Sequence, residues 1–246
     1  MSTETINILM PMAGAGRLFQ EAGSVFPKPL VEVLGKPMVQ VVCEDLVCDL
    51  KERFIFVVRK EDQERFALRD VLRLLAPDCE VIVVQGATRG AACTAMLAVE
   101  YINNDTPLVI ANADQYVSGQ FAKFISDATA SGVDGSIMCF ESIHPKWSFA
   151  RLDAEGYVIE TAEKRPISKN ATVGIYYFRE GKMFVEACQQ VIRKGMTVMD
   201  QYFICPCYNE MILAGMKVSA LHIPKDAMFA FSSPDDVKEF ERAQSQ

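Results

Sequence analysis

Residues suited to handling phosphate come early. The stretch "MPMAGAGRLFQEAGSVFPKPL" (residues 10–30) leaves a short apolar run through glycines at 14, 16 and 23, then sets Lys28 between Pro27 and Pro29. A glycine-rich exit from a strand lets backbone N–H groups approach phosphate oxygens with no Cβ in the way. The flanking prolines stiffen the backbone around Lys28, so its ammonium is aimed rather than left to wander. The same residues also read as a plain strand exit and a solvated lysine in a proline turn. No Gly-Lys-Ser/Thr follows the glycines, which excludes a Walker A loop, and the long segment before the next helix disfavours the dinucleotide GxGxxG arrangement. Farther along, Asp114 follows the apolar run "PLVIAN", and Glu163-Lys164 close the run "YVIETAEK". Asp114 also reads as a cap for the next segment, and Glu163-Lys164 as a solvated strand end. His144 and His222, the two histidines, lack a triad-like context and are read as structural.

The elements that must position these groups follow from hydrophobic pattern. "INILMP" (residues 6–11), "RFIFVV" (53–58), "EVIVVQ" (80–85) and "PLVIAN" (107–112) are short, continuous apolar runs, as expected of buried parallel strands. Segments with helical spacing lie between them, at 37–50, 61–75 and 90–102, and read as crossover helices on the two faces of that sheet. From Asp134 the pattern changes to strands at 134–141, 148–153, 157–164 and 171–178, with "DAEG" turning a hairpin between the second and third. Helices at 180–194 and 200–215, a strand at 217–223 and a closing helix from Pro234 complete the reading. The pattern predicts one α/β unit over 1–246 with a small β-rich lobe.

Composition narrows the partners. Half of the 246 residues are hydrophobic, enough for a sizeable core, and the formal net charge is -7. An acidic chain argues against a general nucleic-acid or anionic-membrane binder, since both need a basic surface. Eight cysteines sit mostly within apolar runs, with no signal-like segment ahead of them, which predicts a reducing cytoplasm. Cys205-Pro-Cys207 has no second pair or nearby histidine at zinc spacing.

Together, "MPMAGAG" through "PKPLVEVLGKPM", the strand end "IANADQ" and "YVIETAEKRPISKNATVGIYYF" resemble the sugar nucleotidyltransferases, the superfamily of glucose-1-phosphate thymidylyltransferase and related pyrophosphorylases. The resemblance spans nearly the whole chain and implies that 1–133 mainly binds nucleotide and 134–246 mainly binds an acceptor. It implies a Rossmann-like nucleotidyltransferase fold with a mixed, mostly parallel sheet and helices on both faces. It also implies transfer from a nucleoside triphosphate to a sugar phosphate, with release of pyrophosphate and a need for Mg²⁺. Nucleotide contacts are then expected from Met12, Ala13, Gly14, Gly16, Gln85, Gly90 and Asn112, and catalytic roles for Lys28 and Arg17. Glu163, Lys164 and Gly174 are expected to bind the acceptor, and Asp114 the metal. The implied partners are an NTP and a small phosphorylated acceptor, with a homo-oligomer as an open option.

Two departures from the family pattern stand out. Where the family reads Gly-x-Gly-Thr/Ser-Arg, this chain reads "GAGRLF", so Arg17 falls on the small residue and Leu18 on the arginine. The second metal aspartate of the family falls on Ala230 in "MFAFSSP", and Asp226 is the nearby substitute. These departures keep two alternatives open: a CTP-dependent cytidylyltransferase acting on a non-sugar phosphate, and a nucleotide-binding homologue without turnover.

Overall fold

The first strand sets the architecture. β1 (Thr5–Met12) carries Ile6, Ile8, Leu9 and Met10 with no solvent exposure, as a strand covered on both faces requires. The computed structural model describes residues 4–245. After β1 come α1 (Arg17–Glu21), a 3₁₀ turn at Lys28–Leu30, the hairpin strands β2 (Glu32–Val33) and β3 (Lys36–Pro37), and α2 (Met38–Asp45). β4 (Lys51–Arg59) then pairs parallel to β1, from Thr5 opposite Lys51 to Met12 opposite Val58. Helices α3 (Lys60–Phe66) and α4 (Leu68–Leu75) lead to β5 (Glu80–Val84), parallel to β4. α5 (Ala91–Met96) and α6 (Val99–Ile102) carry the chain back across the sheet to β6 (Leu108–Ala111), parallel to β1 on its other side.

Because β4 and β5 extend the sheet one way from β1 and β6 extends it the other, the carboxyl ends of β1 and β6 form a topological switch point. In an open α/β sheet that is where a crevice opens for ligands.

The second half comprises β7 (Gln115–Tyr116), α7 (Gln120–Ser131), β8 (Gly135–Glu141), β9 (Ser148–Leu152), β10 (Val158–Glu163), β11 (Asn170–Phe178), α8 (Gly181–Arg193), α9 (Cys207–Leu213), β12 (Val218–His222), β13 (Phe229–Ala230) and α10 (Pro234–Gln244). Its longer strands do not stand apart as a lobe. β11 pairs antiparallel with β6, so they continue the same nine-stranded sheet in the order β10-β9-β11-β6-β1-β4-β5, with β8 and β12 branching from β11. Apolar side chains pack in one layer on each face of this sheet. The hairpin at 153–156 forms, held by the Asp153 carboxylate, which accepts from the amides of Glu155 and Tyr157, both at 2.9 Å.

Some expected helices are interrupted. The 61–75 segment breaks at Ala67, whose φ of 49° is left-handed, and the amide of Arg69 bonds to the Gln63 side chain instead. The 90–102 segment splits at Leu97–Ala98 into α5 and α6, and only Cys207–Leu213 of the 200–215 segment is helical. Among the described residues, no helix is long and apolar enough to cross a membrane.

Candidate active site

Two adjoining cavities open at the switch point and share Pro11 and Gly14 at the exit of β1. The smaller, about 270 Å³, is lined by Met12, Gly16, Lys28, Asn112 and Asp114 among others. The larger, about 790 Å³, is lined by Ala13, Arg17, Gln85, Gly90 and Gln201 among others. Ten residues singled out by sequence, spread from 12 to 114, thus converge on one crevice.

At the floor of the small cavity the Lys28 ammonium forms an ion pair with the Asp114 carboxylate, both partly buried. The ammonium also stands 5.6 Å from the centre of the Phe19 ring, whose face favours a cation. Close packing of loop against turn allows this: a Cβ on Gly16 would stand 2.9 Å from the Cβ of Lys28. Asp114 is held from two sides. Its carbonyl accepts the Phe231 amide at 2.7 Å, and the segment after it is pinned by Asp45, whose carboxylate accepts from the amides of Val117 (2.5 Å) and Gly119 (2.7 Å). Burial raises the Asp45 pKa, opposed by those two amide bonds.

The larger cavity is walled by the α5 turn. Gly90 adopts φ 108° and ψ 174°, a region open essentially to glycine alone, and a Cβ there would lie 2.3 Å from the Tyr202 carbonyl oxygen. Thr94 donates to the Gly90 carbonyl at 3.1 Å, and its hydroxyl lies 2.6 Å from that of Thr88. Gln201 reaches this cavity from a tight turn in which Val198 and Gln201 exchange backbone bonds. Its central residues, Met199 and Asp200, both have positive φ without being glycine, so the turn is strained.

Gly174 lies deeper, in the bulged part of β11 between Thr172 and Tyr176. At φ 93°, a Cβ on it would approach the side chains of Asn112 and Gln115 to 2.3 Å. Glu163 and Lys164 line neither cavity. Glu163 accepts a hydrogen bond from the Ser148 hydroxyl, and burial raises its pKa, opposed by that bond and by Lys164. Lys164, itself left-handed at φ 53°, sets its ammonium 5.2 Å from the centre of the Phe203 ring and 3.7 Å from the Met199 sulfur. The strained turn at 198–201 therefore touches Lys164 on one side and the large cavity on the other.

The C-terminal departure is also located. Ala230 pairs with Gln115, the residue after Asp114, whereas Asp226 lines a third cavity of about 700 Å³ with Trp147 and His144. The structure does not bring Asp226 into the Asp114 cavity. Among the described residues no cluster of three or more metal-ligating side chains occurs. His144 accepts the Lys146 amide at 3.1 Å, and His222 bonds the Asn170 side chain at 2.9 Å. Cys205 and Cys207 are buried in the core, where burial pushes the Cys205 thiol up to about 12.

Sequence reasoning missed Asp45, Gln115 and Ser148. Each acts through a contact with a distant residue, and the only signal available was an acid inside the apolar pattern of α2.

No curated protein matches the chain in sequence. Solved structures share its fold. A nucleoside-diphosphate-sugar pyrophosphorylase from Vibrio cholerae RC9 superposes with a TM-score of 0.83 at 24% identity, covering 96% of this chain and 99% of that one. An inositol-1-phosphate CTP transferase from T. maritima gives 0.72 at 15% identity, covering 100% and 96%. A Bacillus anthracis protein assigned as a glucose-1-phosphate thymidylyltransferase, solved with sucrose, gives 0.74 at 17%, covering 97% and 94%. At these identities the likeness concerns the fold. The sequence profile described as "Nucleotidyl transferase" matches residues 9–213, which include the glycine loop, the Lys28–Asp114 pair and the Glu163-Lys164 strand end, so the chain belongs to the nucleotidyl transferase family.

Proposed function

We propose that the protein couples a nucleoside triphosphate to a sugar phosphate, releasing pyrophosphate and yielding a nucleotide-activated sugar. The observation that carries this reading is the pair of cavities meeting at Gly14, with Lys28 and Asp114 at the bottom of one and room for a nucleoside in the other. A phosphate oxygen of the acceptor forms a bond to the α-phosphorus while the bond from that phosphorus to the bridging oxygen breaks and pyrophosphate leaves. A phosphate is already ionised at neutral pH, so no side chain need remove a proton. What the chain supplies is alignment and positive charge. Gly14 and Gly16 bring backbone close to the triphosphate, Lys28 and Arg17 offset charge on the reacting and leaving phosphates, and Gln85 and Gly90 shape the base pocket. Glu163 and Lys164 engage the acceptor from the end of β10, and Gly174 makes room for the side chains of Asn112 and Gln115.

Asp114 offers one hard carboxylate at the edge of a cavity built for phosphates, and this donor set fits a Mg²⁺ that takes most of its ligands from water and phosphate oxygens. When bound there, the ion supplies charge neutralisation between the α- and leaving phosphates.

The test is a matrix of CTP, UTP, dTTP, ATP and GTP against glucose 1-phosphate, inositol 1-phosphate and phosphocholine, scored by pyrophosphate release. The sugar phosphate is expected to turn over. Turnover of a non-sugar acceptor with CTP favours the second reading, a cytidylyltransferase, which the placement of Ala230 beside the Asp114 loop motivates. Tight NTP binding without turnover favours a homologue that binds but does not transfer.

A further inference from the structure

Glu163 is held in place by a polar network that crosses the sheet. Ser148 faces Glu163 directly in the β9–β10 ladder and donates its hydroxyl to Oε2. Among the described residues Glu163 makes no other side-chain hydrogen bond, so Oε1 remains available. Ser148 is 8% exposed, and the Tyr176 hydroxyl and the Cys205 thiol are its buried polar neighbours. The Tyr176 hydroxyl in turn lies 3.0 Å from that of Thr172. Thr172 and Tyr176 bracket the β11 bulge that contains Gly174. One irregularity in β11 therefore sets both the Gly174 contact with Asn112 and Gln115 and the tyrosine that backs Ser148.

We infer that Ser148 is a positioning residue: it fixes Glu163 through Oε2, with Tyr176 behind it, so that Oε1 accepts a hydroxyl of the phosphorylated acceptor. This rests on the assignment of Glu163 to the acceptor. A carboxylate free to rotate would lose the alignment that such recognition needs, and supporting hydrogen bonds of this kind typically change function by about 10- to 100-fold. The acceptor class that follows is a hydroxyl-bearing phosphate, such as a sugar or cyclitol phosphate.

Two experiments decide it. In the substrate-free protein, carboxyl-carbon NMR follows the titration of Glu163. Three titratable groups face it: Lys164 favours the carboxylate, while Tyr176 and Cys205, both raised by burial, stay neutral through the range measured. Ser148→Ala is expected to raise the midpoint by about one pH unit, since a bond to the charged form is lost. Tyr176→Phe should raise it less, and serves if Ser148→Ala fails to fold. An unchanged midpoint in a folded variant overturns the inference.

The second experiment is a double-mutant cycle on acceptor kcat/KM, with whichever of glucose 1-phosphate, inositol 1-phosphate or phosphocholine turns over best. Ser148→Ala should lower acceptor kcat/KM roughly tenfold through KM, with NTP KM within about twofold of wild type, and should cost nothing further in a Glu163→Ala background. Additive losses, or a preference for phosphocholine, which has no hydroxyl to donate, overturn it. Absence of turnover with every acceptor counts against the proposed function, and the titration then decides the role of Ser148 alone.

Discussion

Two regions of the molecule use different materials: the crevice at the switch point and the strand ladder around Glu163. At the crevice, glycines at 14, 16 and 90, the last packed against the Tyr202 main chain, stand among the side chains of Arg17, Lys28, Gln85 and Asp114. Around Glu163, outside both cavities, side chains meet side chains: the Ser148 hydroxyl donates to Glu163, and the hydroxyls of Thr172 and Tyr176 lie 3.0 Å apart. The difference has a chemical reason. A triphosphate presents the same oxygens whatever base it carries, and main-chain amides recognise such a group without sequence-specific groups. An acceptor is distinguished by the placement of its hydroxyls, which only positioned side chains can read. Under the proposed function, acceptor specificity would rest on residues 148–176 and phosphate handling on residues 11–30 and 112–114.

Five perturbations test this contrast. The largest effect is expected at the carboxylate of the small cavity. Asp114→Asn should lower Mg²⁺-dependent turnover by about 1000-fold with little change in melting temperature, measured across a Mg²⁺ titration. Full activity would remove the metal assignment.

Next, Gly90→Ala drives a Cβ into the Tyr202 carbonyl at a backbone angle that alanine avoids, and is expected to destabilise the fold by about 3 kcal/mol in urea denaturation. Beside Glu163, Lys164→Ala should raise acceptor KM or lower kcat by about 10- to 100-fold while NTP binding stays near wild type. Loss of NTP binding instead would erase the division between the two regions. Gly14→Val is gentler: a Cβ there meets nothing within 4 Å, so stability should hold while calorimetric NTP affinity falls roughly tenfold.

The smallest effect is in the pH dependence of stability. The Glu163 pKa is raised by burial above its ordinary value of 4.5. The neutral form is the one the fold favours, so this group's contribution is fully present below pH 4.5 and is lost as pH rises through the folded value. Glu163→Gln, neutral throughout, should flatten the fall in melting temperature just above pH 4.5. A steeper fall in the variant would contradict the burial.

Local sequence carried the parallel strands and the two chemical loops, because Ile8–Met12 of β1, Phe54–Val58 of β4, Val81–Val84 of β5 and all of β6 are apolar runs and the glycines and prolines act where they stand. The reading leaves 113–133 unassigned, although Phe121, Phe124, Ile125 and Ala128 of α7 have helical spacing. Helix interruption at Ala67 was not legible, since an alanine in a left-handed conformation is a tertiary outcome that propensity argues against. The same holds for pairs remote in sequence. Lys28 meets Asp114 across 86 residues, and β13 pairs with β7 through two residues only, too few to leave a pattern. Ser148 looks like an ordinary strand residue until the β9–β10 register sets it opposite Glu163.

The β7–β13 ribbon gives the crevice a history as well as a shape. The carbonyl of Asp114 is bonded by the amide of Phe231, and the β2–β3 hairpin after the lysine turn is bonded by Glu241 to the Leu34 amide at 3.0 Å. On a ribosome adding residues in order, the glycine loop, Lys28 and Asp114 emerge long before either contact can form. A nascent chain can thus build its sheet while its phosphate crevice still lacks two of its fastenings. Nucleotide capture should mature late in synthesis, and a chain arrested before residue 231 should emerge folded in its parallel half yet poorly able to retain a nucleotide.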